Sequence, residues 1–304
     1  MNELIPTLNL NHFKSPYKKN QDFFVAGLKH ALETTGFFFL QNHGISEETL
    51  LKSRAVFDAF FSGDIDREKY EFKEEQHQRG YTPMRLEKGE FATIADEKHF
   101  FQIGNDRMVE VEEIPDFKAT TTKLYHEFRD CSLVLLQAIG RSLALEEEYF
   151  SNREGNSIMR AIDYPATENP LEDDEEPTLG GNIAGMCASK HTDINMITLL
   201  EAKEVGLQLF YNNHWIPVTI ADSNLIIVNA GDMLEHLTGG RYKSGLHRVV
   251  CTRNIRRFSI PYFCHLNTSE SVAPLKQLGL SDLVKYPYKT VGQYLDFRLA
   301  QIGL

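Results

Sequence analysis

The second half of this chain is cut into short apolar runs. From about residue 156 the segments SIMRAIDY, MCASKH, MITLLE, LQLFY, WIPVTI, NLIIVN, LHRVVC and RRFSIPYFC follow one another, separated by Gly, Asn, Asp and Pro. Such runs between turn residues read as strands, and a close series of them closes most simply into an antiparallel barrel or a double-sheet jelly roll. Pro261 is awkward for a central strand and marks an edge or a bulge on this reading. A helix, TVGQYLDFRLAQI, ends the chain.

The first half has a different period. QDFFVAGLKHALETTG spaces Phe24, Leu28 and Leu32 at helical intervals and stops at Gly36, and SEETLLKSRAVFDAFFSG runs from a Ser46 N-cap to Gly63. Between them FFFLQNHGI reads as a buried strand with a turn at Gly44. Leu124, Phe128, Leu135, Ile139 and Leu143 form one stripe of a helix over 116–145. No repeat and no linker separates the halves. With 42% hydrophobic residues and 11% aromatics in 304 residues, a large core is assured.

Charge and cysteine usage narrow the function classes. A net charge of −11 without a basic stripe argues against a nucleic-acid partner. The acidic cluster ENPLEDDEEP, 168–177, reads as a solvated loop. Neither a signal-peptide pattern nor a long apolar span occurs, so the expected setting is cytoplasmic, with no membrane partner. Cys131, Cys187, Cys251 and Cys264 form no CxxC pair and read as reduced core residues.

The chemistry enters in MCASKHTDINMITLL. His191 and Asp193 stand two apart in a strand-like run, and residues i and i+2 of a strand share a face. With 11 histidines in the chain, one such pair is weak by itself. His247, in GGRYKSGLHRVVC, is a third ligand that a jelly roll can bring alongside. Two His and one Asp on one side of a six-coordinate metal leave open positions, the pattern of non-haem Fe(II) oxygenases. His236 is a rival ligand in a turn-like or helical segment, while His43 and His214 read as structural. Arg248 points away from His247 and reads as a surface or interstrand ion pair. In RRFSIPYF the same-face logic pairs Arg257 with Ser259, and a buried guanidinium needs an anion, such as a small dicarboxylate.

Together, HTDINMITLLEAKEVGLQLFYNNHWIPV, NLIIVNAGDMLEHLTGGRYKSGLHRVV, RRFSIP and the N-terminal FFFLQNHGI resemble the isopenicillin N synthase-like branch of the Fe(II)- and 2-oxoglutarate-dependent dioxygenases. The resemblance covers most of the chain. It implies an α+β fold, with a double-stranded β-helix (jelly-roll) core over 156–265, a mainly helical N-terminal part over 1–155 and a C-terminal helical segment over 266–304, all one domain. His191, Asp193 and His247 match the family's iron ligands. Arg257 and Ser259 match the pair that grips the distal carboxylate of 2-oxoglutarate, and Tyr164 a tyrosine that helps hold it. The implied reaction uses Fe(II), 2-oxoglutarate and O2. It releases succinate and CO2 while an unactivated C–H of a small molecule is hydroxylated, desaturated or cyclised.

Many 2-oxoglutarate users of the family carry Asn-Tyr-Tyr-Pro where this chain reads Ile162-Asp163-Tyr164-Pro165. An iron oxidase without 2-oxoglutarate is therefore the alternative, and a non-catalytic barrel binding module a more remote one. A zinc hydrolase lacks its HExxH. In 78–104, a region that partly lines the family's barrel mouth, Arg79, Tyr81 and Arg85 are the expected anchors of an acidic or polar substrate. The C-terminal helix from Thr290 is the expected cover of the mouth.

Overall fold

The computed structural model describes residues 4–75, 78–87, 95–166, 186–220, 222, 224–251, 254–279 and 287–302. The acidic cluster at 168–177 lies outside the described residues. The first half supplies β1 (Thr7–Asn9), α1 (Leu10–Phe13), α2 (Lys18–Thr34), β2 (Phe37–Gln41), α3 (Glu47–Ser62), β3 (Gly80–Thr82), β4 (His99–Gly104) and α4 (Phe117–Ser142). The second supplies β5 (Ile158–Tyr164), β6 (Met186–His191), β7 (Ile197–Ala202), β8 (Leu207–Tyr211), β9 (His214–Pro217), β10 (Leu225–Ala230), α5 (Asp232–Leu237), β11 (His247–Val250), β12 (Arg257–Cys264) and α6 (Val291–Ile302).

The local signals act as their chemistry dictates. Ser46 caps α3 by accepting from the Thr49 amide, with Glu47 and Glu48 in the positive first turn. Gly36 takes φ +78° beyond α2, where a Cβ would lie 2.0 Å from the Lys243 carbonyl oxygen, so only glycine fits. Helix α4 ends at Ser142, three residues short of the periodic reading, because Ala144 turns left-handed at φ 56°. Three strands in the first half escape a reading of period. β1 and β3 have three residues each, and β4 is buried along most of its length instead of alternating.

The strands form two sheets. The larger has eight strands in the order β1-β2-β10-β7-β12-β5-β4-β3, and the smaller four in the order β6-β11-β8-β9. Among the described residues only β1 and β2 pair in parallel. These sheets make the jelly-roll core of an α+β fold, and the larger one takes strands from both halves of the chain.

Strand β12 shows how the core divides. Its even-numbered residues Phe258, Ile260, Tyr262 and Cys264 join the apolar cluster shared with the helices, where Tyr262 stacks on Phe128 of α4 at 5.8 Å and meets Tyr125 edge-on at 5.3 Å. Such ring pairs contribute about 0.5–1.5 kcal/mol each beyond burial. Its odd-numbered residues Arg257, Ser259, Pro261 and Phe263 line a cavity on the other side. Pro261 is thus central, and corrects the edge or bulge reading. Pairing with β7 runs unbroken from Ser259 to Cys264, while pairing with β5 is interrupted at Ile260 and Pro261 and resumes in the same register at Tyr262. One missing amide is tolerated where pairing with β7 on one side and β5 on the other keeps the ladder in place.

Two of the four cysteines also depart from expectation. Cys187 on β6 and Cys251 just after β11 form a disulfide, with Cα atoms 6.0 Å apart, whereas Cys131 and Cys264 are free and buried. Antiparallel pairing of β6 with β11 brings together residues 64 positions apart, a proximity that spacing along the chain does not reveal. Thiol titration of the denatured, unreduced protein is expected to return two thiols; four would show that the bridge does not form.

Candidate metal centre

His191 ends β6 and His247 begins β11, and the two are direct partners across that strand pair. Their rings lie 4.3 Å apart. Asp193 falls just beyond the strand, so its approach owes less to strand alternation than to the turn that follows, where the Asp193 carbonyl accepts from the Asp232 amide at 2.7 Å. Its Oδ1 stands 3.9 Å from His191 Nε2 and 3.8 Å from His247 Nε2. Ligand atoms of all three lie within 4.8 Å of one another, the only such His/Cys/Asp/Glu group among the described residues.

Every other polar atom of the three side chains is occupied. The Nδ1–H of His191 donates to the Ser189 carbonyl at 2.7 Å, and that of His247 to the Gly245 carbonyl at 2.8 Å. Each Nε2 therefore presents a lone pair to the centre. Asp193 Oδ2 accepts from Thr198 Oγ1 at 2.5 Å and from Asn229 Nδ2 at 2.8 Å, leaving Oδ1 for a metal. Burial, reinforced by His247, pushes His191 down to about 4. Burial works against ionised Asp193, but the two imidazoles and its two hydrogen bonds outweigh it and hold the carboxyl below its ordinary range. The set fits a divalent metal: two neutral imidazoles and one carboxylate with free, convergent atoms.

Arg257, Ser259 and Tyr164 gather in the same cavity, all buried. Arg257 Nη1 donates to Ser259 Oγ at 3.2 Å, and its guanidinium lies 5.0 Å from the Tyr164 ring centre. Its Nε is buried and has no partner among the described residues. A buried guanidinium beside a cavity suits an anionic guest. On β5, Ile162 and Tyr164 face the cavity while Asp163 turns outward to His99 and Arg256. The position where family members often carry Asn is thus an apolar wall here.

The cavity has a volume of about 170 Å³ and lies between the sheets, with Leu295, Arg298 and Leu299 of α6 along one side. Arg79, Tyr81 and Arg85 do not border it. Arg79 is tied to Asp106, the Tyr81 hydroxyl to His99, and exposed Arg85 to Glu97. What borders it from that region is Gln78, Glu87, Asp96, Lys98 and Gln102, joined by Arg160 and His265. Lys98 contacts Asp96 at 2.7 Å and Glu87 at 2.9 Å, and Arg160 contacts Glu87 at 3.0 Å. Arg160 and His265 had a signal in sequence: they share strand faces, at even spacing, with Tyr164 and Arg257. Thr198 and Asn229 were visible only as polar residues in apolar strands.

The other histidines stand elsewhere. His236 donates to the Val272 carbonyl from α5, His43 accepts from the Ile45 amide, and His214 is exposed on β9. Arg248 is 2% exposed, bonded to Gln208 and stacked 4.2 Å from Trp215, so it is an interior interstrand contact and no surface group.

Comparison with known proteins agrees with this geometry. The model of the 2OG-Fe(II) oxygenase superfamily matches residues 155–266, and that of the non-haem dioxygenase N-terminal region, named for morphine synthesis, matches 5–124. DMR6-like oxygenase 2 of Arabidopsis thaliana is 31% identical over 90% of this chain and 76% of its own. The proline hydroxylase buaE of Petromyces alliaceus is 30% identical over 98% of this chain and 99% of its own.

This chain belongs to the 2OG-Fe(II) oxygenase superfamily. A Caulobacter crescentus protein described as a member of that family superposes with a TM-score of 0.80 at 26% identity, covering 98% of each chain. A Neurospora crassa protein crystallised with alpha-KG shares the fold at a TM-score of 0.81 and 24% identity, over 97% of this chain and 95% of its own. The chain is a 2-oxoglutarate-dependent dioxygenase of the isopenicillin N synthase-like branch, with Fe(II), 2-oxoglutarate and O2 as cofactor and cosubstrates and a small molecule as the substrate oxidised. Among the described residues no helix is long and apolar enough to cross a membrane.

The ion network beside the centre yields a pH prediction. Burial works to raise the Glu87 pKa, but Arg160 and Lys98 outweigh it and bring it to about 2. A depressed folded-state pKa gives stability that is complete above the unfolded value near 4.5 and is lost as pH falls toward 2. Glu87→Gln is expected to cost about 3 kcal/mol at neutral pH. The gap to the parent should narrow between pH 4.5 and 2 in urea melts; a pH-independent gap contradicts the network's role.

Proposed function

We propose that His191, Asp193 and His247 bind Fe(II), and that Arg257, Ser259 and Tyr164 hold 2-oxoglutarate by its distal carboxylate. The observation that carries this is the sorting of atoms: those with partners point into the protein, while His191 Nε2, Asp193 Oδ1 and His247 Nε2 converge on one point of a cavity that Arg257, Ser259 and Tyr164 also line. Residues 1–304 act in this reading as a single oxygenase domain, which the large sheet supports by drawing strands from both halves of the chain.

When bound, the Fe(II)–2-oxoglutarate pair supplies the oxidation of an unactivated C–H, with succinate and CO2 released. The chain's own contribution is placement. The Ser189 and Gly245 carbonyls keep both imidazoles in the tautomer that offers Nε2. Thr198 and Asn229 keep Asp193 to one free oxygen. Arg257 neutralises the far carboxylate, and the Leu295 and Leu299 side chains of α6 help exclude water from the cavity. Ile162 leaves that carboxylate to Arg257, Ser259 and Tyr164 alone.

The substrate is a small molecule, as for the relative named a proline hydroxylase. Neither a nucleic-acid nor a membrane partner forms part of this reading. A cytoplasmic setting does, and the Cys187–Cys251 bridge is the observation against it, since disulfides persist mainly in oxidising compartments.

Anaerobic titration of the Fe(II)-loaded protein with 2-oxoglutarate is expected to raise a visible charge-transfer band. Asp193→Ala should abolish band and turnover while the circular dichroism spectrum stays native; retained turnover would refute the ligand assignment. Removing the amide behind Asp193, in Asn229→Ala, should weaken metal binding by about 10- to 100-fold, read by Mn(II) titration against a chelator. Unchanged affinity would show that the amide does not orient the ligand.

A further inference from the structure

The residues given to metal and 2-oxoglutarate leave part of the cavity wall unassigned, and among the described residues that remainder is polar, buried and balanced in charge. His265 lies at the end away from Arg257. It follows β12 on the face of Arg257 and Ser259, about 20 Å beyond Ser259 if the strand continues extended, so it cannot share the carboxylate end of the cavity. The Met196 amide donates to the Cys264 carbonyl, which sets His265 beside the segment that follows Asp193. The imidazole is 7% exposed, lines the cavity, and its Nδ1 has no partner among the described residues. Burial, together with Arg79, pushes it down to about 4, so it is neutral and offers one donor and one acceptor.

The second observation is the quartet Glu87, Asp96, Lys98 and Arg160. The side chains are 9%, 2%, 7% and 13% exposed, two of each sign, and paired with one another at 2.7 to 3.0 Å. The Asp96 carboxylate also accepts from the Ser189 amide at 3.0 Å, two residues before His191, which anchors the quartet to the strand of the metal centre. Toward the clamp end the charges cancel as well: Fe(II) against the 2-oxoglutarate dianion, Asp193 against Arg257. Arg298 pairs with Asp232. A guest carrying net charge would be an uncompensated charge in a dry site, whereas a dipolar or uncharged polar guest would not.

Resting on the assignment of the metal and 2-oxoglutarate residues above, we propose that the wall built by Glu87, Asp96, Lys98, Arg160 and His265 is the substrate subsite. It selects a small polar substrate of zero net charge, with His265 supplying the directional hydrogen bond. Lys98 and Arg160 offer donors to its electronegative side, and Glu87 and Asp96 acceptors to its electropositive side. Selection works by refusal, since each charged competitor forfeits its hydration without gaining a counter-ion.

The test uses the Fe(II)- and 2-oxoglutarate-loaded protein under anaerobic conditions, with the charge-transfer band as readout. The band itself checks the underlying assignment; its absence refutes that assignment before any substrate is added. L-proline and uracil, neither with net charge, are then compared with anionic N-acetyl-L-proline and cationic L-prolinamide. At least one uncharged probe is expected to shift the band saturably, with the charged probes requiring at least tenfold higher concentration. If neither uncharged probe does so, or a charged probe does so at equal or lower concentration, the proposed selectivity is overturned. His265→Ala should raise the concentration needed by about tenfold while 2-oxoglutarate still forms its band at the parental concentration, and His265→Gln, keeping a donor and an acceptor, should recover part of the loss. An unchanged response to the probe in His265→Ala overturns the role given to the imidazole.

Discussion

Asp193 Oδ2 lies between the Thr198 hydroxyl and the Asn229 amide, and those two residues sit on neighbouring strands of the larger sheet. Asp193 itself follows β6 of the smaller sheet. One carboxylate therefore joins the two layers at the point where both histidines converge, and the hydrogen bonds decide which of its oxygens is left over. A carboxylate free to rotate would offer either oxygen or both, and the geometry at the centre would be undefined. The direct pairing of His191 with His247 depends on the alignment of β6 with β11, whose register shifts twice toward the end that the Cys187–Cys251 bridge ties together.

A single strand divides the molecule's labour. β12 is buried on both faces, with one set of alternate residues completing the core against α4 and the other set forming the cavity from Arg257 to Phe263. Helix α4 thus supports the site from behind without bordering the cavity. The rings of Phe128 and Tyr262 stabilise the fold, while five positions before Tyr262 the Arg257 guanidinium keeps an Nε with no partner among the described residues. A bound anion would offset the cost of burying that group, the usual relation between a binding site and the scaffold that tolerates it.

The electrostatics of the cavity follow from burial. Four ionised side chains beside the centre survive because each has partners of opposite sign within 3.0 Å, so that Glu87 stays charged and Lys98 is held well above its ordinary value despite burial. They form a preorganised polar wall which need not rearrange when a guest enters. His265 differs from them in being neutral, with an Nδ1 that has no partner among the described residues.

By itself the amino-acid order determined the strand series, the main helices and the positions of His191, Asp193, His247, Arg257 and Ser259, because period, punctuation and residue chemistry are local properties. It also placed His265 on the face of Arg257, eight positions further along the same alternation. Which residues from 78–104 meet the cavity was decided by the tertiary structure alone. Arg79, Tyr81 and Arg85 found partners at the sheet edge and surface, whereas Glu87, Asp96 and Lys98 turned inward, since partner choice depends on strands that pair across long separations. The bridge between Cys187 and Cys251, the central place of Pro261 and the hold of Thr198 and Asn229 on Asp193 have the same origin: each is a contact between segments that only the folded sheets bring within reach.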